Sequence, residues 1–283
     1  MKRIIISVLA MAAAISAMAQ QQEWNLPYSE PTVYKGEDLE IRQIDEHTWH
    51  GNGKIMSNEA IYIIEGEERA IVLDAGTVIK DYDKIIAQIT SKPVTLIATH
   101  VHPDHTGSAV NYFDEIYINA ADMVNAAAMM PDYKGTIKYL TDGQVINLGG
   151  REIEVIFAPG HTPGSTLFMD KAAGYGFSGD AFGSGYLLLF TNFSTLELTS
   201  QRTLAYMKKH NITKMYAFSY NTPQVRASIV QALTPVFETM KQSQALLSYT
   251  IKCDAENNTV DVQDAGVILI DIEVILPGVG EKV

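Results

Sequence analysis

The sequence predicts an α/β fold in which two β-sheets pack together with helices on their outer faces. Three observations predict it. Strand-like and helix-like segments alternate in both halves of the chain, several strand-like runs are apolar throughout as buried strands are, and no linker rich in proline, glycine or serine divides the halves. The missing linker argues for one domain over residues 20–283.

Residues 1–19 stand apart. Met1-Lys2-Arg3 leads into an apolar run from Ile4 to Ala17, closed by Ala17-Met18-Ala19 and three glutamines. That is the layout of a secretory leader, and the run is shorter than the roughly 20 residues a membrane span requires. An exported protein, periplasmic or secreted, is expected, with no integral membrane segment in the mature chain. The formal charge of −12 becomes more negative once Lys2 and Arg3 are lost. So acidic a chain lacks the basic stripe that nucleic-acid binding needs, which leaves a small-molecule substrate as the expected partner. Cys253 is the only cysteine, so the core must supply stability without an internal disulfide. Oligomeric state is not written in the sequence.

Ala60–Ile64 and Ala70–Leu73 read as adjacent strands joined by the turn Glu65–Glu68. Ile79 to Ser91 has helical periodicity through Ile79, Ile85, Ile86 and Ile89, Pro93 stops it, and Val94–Ala98 is a buried strand entering Thr99-His100. The unit is a strand–helix–strand crossover. A helix over Ser108–Phe113, a strand at Ile116–Ile118 and a helix over Ala120–Met130 follow. After a turn at Asp142-Gly143 come strands at Gln144–Leu148, Glu152–Phe157, Thr166–Met169 and Gly174–Phe177. Helices over Leu198–His210 and Val225–Tyr249 flank a strand at Lys214–Phe218, and residues 260–275 alternate well enough for one or two more strands.

The chemistry concentrates at Thr99-His100-Val101-His102-Pro103-Asp104-His105-Thr106-Gly107, where three imidazoles and a carboxylate fall at the end of a buried strand. Residues two apart in an extended segment point the same way, so His100 and His102 can grip one metal. Asp104 and His105 lie past a proline that redirects the chain toward a second. Imidazole and carboxylate suit zinc, iron or manganese. A solvated polar loop is the bland alternative, and it fits poorly when four of the chain's 7 histidines sit in two glycine- or proline-framed loops. The second of those loops is Pro159-Gly160-His161-Thr162-Pro163-Gly164. A lone loop histidine is usually just exposed; His161 gains weight because the first loop lacks a third nitrogen. A third loop, Ser178-Gly179-Asp180, brings a carboxylate that could bridge two cations or simply cap a turn.

These three loops resemble the metallo-β-lactamase superfamily in their residues, order and spacing. The resemblance implies an αββα sandwich of two mixed β-sheets with the metals at one edge. It implies one metal on His100, His102 and His161, another on Asp104 and His105, with Asp180 between them, and Asp74 of Leu73-Asp74-Ala75-Gly76 orienting ligand histidines. The superfamily usually supplies a last histidine after a late strand, and here that place reads Tyr216-Ala217-Phe218-Ser219-Tyr220-Asn221. One or two zinc ions are therefore expected, with water, Ser219 or Tyr220 as substitute ligands for the second.

Hydrolysis is the expected reaction: the metal lowers the pKa of bound water to about 7 and supplies hydroxide, and the resemblance implies that Asp104 orients it and relays a proton to the leaving group. Small esters, lactones, thioesters and β-lactams all fit. The glyoxalase II and lactonase branches are nearer than zinc β-lactamases with a cysteine at the Asp180 position. A mononuclear iron dioxygenase built on His100, His161 and Asp180, acting on a thiol or persulfide, is the runner-up. A catalytically degenerate metal- or ligand-binding protein is third. Tyr186 is a weak candidate for contact with substrate, since any one of 14 tyrosines is more often packed than functional. His47, His50 and His210 are expected to be structural or surface residues.

Overall fold

The computed structural model describes residues 30–54, 59–182, 188–216, 223–259 and 270–275. The leader expected at 1–19, the candidates Tyr186, Ser219 and Tyr220, and the alternating stretch 260–269 lie outside them. The chain forms two compact units, residues 1–155 and 156–283.

In the first unit eight strands follow one another in space as in sequence: β1 (Thr32–Lys35), β2 (Leu39–Asp45), β3 (Thr48–Gly53), β4 (Ala60–Glu65), β5 (Ala70–Leu73), β6 (Val94–Ile97), β7 (Glu115–Ile118) and β8 (Thr136–Tyr139). The first five pair antiparallel and β5 to β8 pair parallel, so the sheet is mixed. The β5–β6 step is the crossover read from the sequence, carried by helix α1 (Tyr82–Ile89). Tyr82, Ile85 and Ile86 of that helix pack on Leu39, Ile41, Ile61, Ile63, Val72 and Leu96 to make the core. Every residue of β5 is buried, as its unbroken apolar run requires.

Several boundaries move, each for a local reason. Helix α1 begins at Tyr82 rather than Ile79 because Asp81 is left-handed (φ 54°), a conformation through which a right-handed turn does not propagate. The segment after Gly107 is a 3-10 turn, Ser108–Tyr112, with i to i+3 bonds from Val110 N to Gly107 O and Phe113 N to Val110 O. Residues 120–122 form another, and only Met123–Met129 is the α-helix α2. Strand β8 escapes the sequence because it is four residues long and largely exposed, with no sustained alternation. A hairpin follows, β9 (Val145–Asn147) with β10 (Glu152–Phe157), where the chain leaves the first unit.

In the second unit β11 (Thr166–Asp170) and β12 (Tyr175–Phe177) form a hairpin, and β13 (Lys214–Tyr216) adds in parallel to β12. Helix α3 (Phe193–His210) packs Met207 against Leu167, Met169, Ile212 and Met215. It starts five residues before Leu198 because the Asn192 side chain caps it, accepting from Thr195 N at 2.9 Å. Helix α4 (Pro223–Gln242) stops well short of Tyr249: Ala245 N closes back on Met240 O, Gln244 is left-handed, and Ser248–Lys252 becomes β14, paired antiparallel with β15 (Asp271–Ile275).

Candidate metal centre

Strand β6 ends at Ile97, and the donor-rich loop is fastened to the end of β5 beside it. Asp74 N donates to Ile97 O, Ala75 N to His105 O, Gly107 N to Gly76 O and Ser108 N to Thr77 O, all at 2.8–2.9 Å. The fit is close at Gly107, where a Cβ would lie 1.9 Å from Thr77 O; only glycine permits the approach. Within the loop, Thr106 N and Oγ1 and His105 N all donate to His102 O.

Asp74 is the hub of this arrangement. Its left-handed backbone (φ 67°) turns the carboxylate back under the loop, and the Tyr82 hydroxyl donates to its carbonyl oxygen. The carboxylate accepts from Thr99 N at 2.7 Å and Thr99 Oγ1 at 2.8 Å, and His105 Nδ1 lies 2.8 Å away. An ionised carboxylate only accepts, so Nδ1 of His105 carries the proton and Nε2 is the acceptor nitrogen. The same logic runs one step further. Thr99 Oγ1 spends its proton on Asp74, so it accepts from His100 Nδ1 at 3.2 Å, and His100 too presents Nε2 as an acceptor.

That Nε2 lies 3.0 Å from Nδ1 of His102, and the rings of His100 and His105 have centroids 4.1 Å apart. His105 Nε2 is 3.8 Å from Asp104 Oδ2. Three imidazoles and a carboxylate thus converge within the first unit. His100 and His105 are buried, while the Asp104 side chain keeps 16% of its surface.

The second unit holds the other two candidates. His161 sits in a loop framed by Gly160 N to Thr162 O and Thr162 N to Ser165 Oγ bonds, with Thr199 Oγ1 of α3 donating to Pro159 O. Its Nδ1 lies 2.7 Å from Leu188 O, and since a carbonyl only accepts, Nδ1 is again protonated and Nε2 the acceptor. Asp180, in a 3-10 turn at Gly179–Ala181, places Oδ2 3.6 Å from that Nε2. The acidic residue is therefore turned toward the imidazole rather than capping a helix.

The donors are borderline nitrogen and hard oxygen, and a hydrogen-bond acceptor behind the ring, taking the Nδ1 proton, fixes the tautomer of His100, His105 and His161. That is the chemistry a zinc-class ion requires of its ligands, so the residues present fit such a group.

Sequence reasoning missed the supports. Asp122 is fully buried and accepts from Val101 N at 2.9 Å, steadying the loop between its first two histidines. Glu59 is fully buried at the start of β4, with Oε1 accepting from Thr77 N at 2.9 Å. Burial, opposed by the Thr77 bond and aided by the charge of Asp104, holds its carboxyl above the usual carboxylate range. A lone Asp or Glu carries no pattern by which to find it. His47 lies at a turn beside Glu65, and His50 is buried in β3. His210 ends α3 with its ring 4.3 Å from Tyr206.

A sequence model described as the metallo-beta-lactamase superfamily matches residues 57–218. Acyl-coenzyme A thioesterase MBLAC2 of Gallus gallus is 25% identical, over 57% of this chain and 72% of its own length. Hydroxyacylglutathione hydrolase of Aeromonas salmonicida is 30% identical over 44% of this chain and 47% of its own. Among solved structures, a metallo-beta-lactamase from Pontibacter korlensis superposes with a TM-score of 0.53 at 21% identity, covering 63% of this chain and 90% of that one. One from Erythrobacter litoralis gives 0.53 at 13% identity, covering 72% of this chain and all of that one. These structural likenesses speak to the fold alone, and they agree with the α/β sandwich expected from the sequence.

Proposed function

Because the chain belongs to the metallo-β-lactamase superfamily, we propose that it is a metal-dependent hydrolase of a small ester, lactone, thioester or β-lactam-type substrate. The observation that carries the reading is the backed imidazole set: Asp74 and Thr99 fix His105 and His100 so that each presents Nε2, beside His102 and the part-exposed Asp104. A surface loop has no use for buried histidines whose tautomers are fixed from behind.

In this reading His100, His102 and His161 would hold one zinc ion and His105 with Asp104 a second, with Asp180 as a further ligand; iron or manganese suits the same donors. A divalent cation, when bound, supplies Lewis acidity toward an acyl oxygen and makes water acidic near neutral pH. Asp104, the open carboxylate of the loop, orients the attacking water and carries its proton toward the leaving group. The names of the thioesterase and hydroxyacylglutathione hydrolase relatives favour a thioester among the candidates. Export is also proposed, on the leader-like residues 1–19 alone.

The test is elemental analysis of protein purified without added metal and then titrated with zinc, coupled to thioester hydrolysis by the wild type and Asp104→Ala. One or two zinc ions per chain are expected, with kcat falling by about 10²–10⁴ in the variant and far-UV circular dichroism unchanged. No metal uptake, or full activity in Asp104→Ala, overturns the reading; one iron in place of zinc gives precedence to the dioxygenase.

A further inference from the structure

The segment after residue 187 is tied to the His161 loop at three places. His161 Nδ1 donates to Leu188 O at 2.7 Å, Phe190 N donates to His161 O at 2.8 Å, and Thr191 Oγ1 donates to Gly160 O at 2.7 Å. These bonds hold the Phe190 ring edge-to-face on the His161 imidazole, with centroids 5.7 Å apart and planes at 85°. Yet Phe190 is 62% exposed, and Leu188 and Phe193 beside it are exposed as well. Three large apolar side chains are thus exposed within six residues, an apolar surface of the kind at which a ligand can bind.

Two facts decide what binds. The patch begins at Leu188, whose carbonyl orients the imidazole, so it is continuous with the His161 loop rather than remote from it. No Asp, Glu, Lys or Arg occurs from Ala181 to Leu196 in a chain of net charge −12, so an uncharged group is suited to it. We propose that Leu188, Phe190 and Phe193 form an apolar lip that receives the hydrocarbon chain of the substrate, which makes the substrate class an acyl compound with a medium or long chain. The inference rests on the hydrolase reading, with His161 as a ligand. The lip sets which acyl chain is taken, and Phe190 is its central specificity residue.

The experiment compares kcat/KM for octanoyl and acetyl thioesters of one thiol, N-acetylcysteamine, in the wild type, Phe190→Ala and Phe190→Leu. The octanoyl-to-acetyl ratio should fall about tenfold in Phe190→Ala, as expected when a few methylenes lose their cover, and should largely survive in Phe190→Leu. A ratio unchanged in Phe190→Ala overturns the lip. If the wild type hydrolyses neither thioester, the thioester preference fails by itself, and the lip is then decided by calorimetric titration with octanoate. Weaker binding in Phe190→Ala supports it and equal binding overturns it. A concentration-dependent dimer that Phe190→Ala abolishes, with the ratio unchanged, gives the patch to a second copy of the chain and likewise overturns the proposal.

Discussion

The carboxylate of Asp74 lies 2.8 Å from Nδ1 of His105, and both side chains are buried. The contact joins the end of β5 to the far end of the donor loop and determines which nitrogen of His105 is presented as the acceptor. Asp74→Asn keeps the shape and tolerates the left-handed backbone, but removes the charge that backs the imidazole. Zinc affinity, measured by competition with a chelator, should drop about 10–100-fold with the fold retained. An unchanged affinity would mean that Asp74 serves the loop backbone alone.

Gly107 makes a second, purely steric prediction. A methyl group there meets the carbonyl of Thr77 in the strand-end loop, and two backbone bonds, Gly107 N to Gly76 O and Ser108 N to Thr77 O, must open to admit it. Gly107→Ala should lose about 3 kcal/mol in urea unfolding, the upper range for overpacking. Wild-type stability in that variant would contradict the closeness of the two loops.

Glu59 gives a pH dependence whose sign is fixed. Burial raises its folded pKa, so on climbing from about pH 4 the unfolded chain releases this proton first. Stability is therefore lost as pH rises from the unfolded value through the folded one, and no further change follows above it. Its Oε2 has no hydrogen-bond partner among the described residues, so an ionised carboxylate is poorly served there. Glu59→Gln removes the titration. The stability difference between the variant and the wild type should shift in the variant's favour between pH 4 and pH 7, and an equal difference at both would refute the buried ionisation.

Much of the candidate site was legible because its candidate donors are neighbours in sequence. His100, His102, Asp104 and His105 lie in one stretch at a strand end, and the strand was readable from its apolar run. The β5–α1–β6 crossover was legible for the same reason, since Pro93 and the isoleucine spacing are local signals. Helix ends were less so. Asn192 caps α3 ahead of the periodic residues, and α4 closes at Gln242 although apolar residues continue into β14. Periodicity alone does not separate a helix from the strand that follows it.

The sequence by itself determined the fold class, the family and the chemical character of the candidate donors. These follow from residue types and short-range spacing. The tertiary structure decided which nitrogen each of His100, His105 and His161 presents. That choice depends on Asp74, Thr99 and Leu188, and the Asp74–His105 contact spans 31 residues. It also decided that Glu59 and Asp122 are buried supports and that Phe190 stands exposed on His161. A tautomer or a buried charge is set by what packs behind it, and that is fixed only when distant segments fold together.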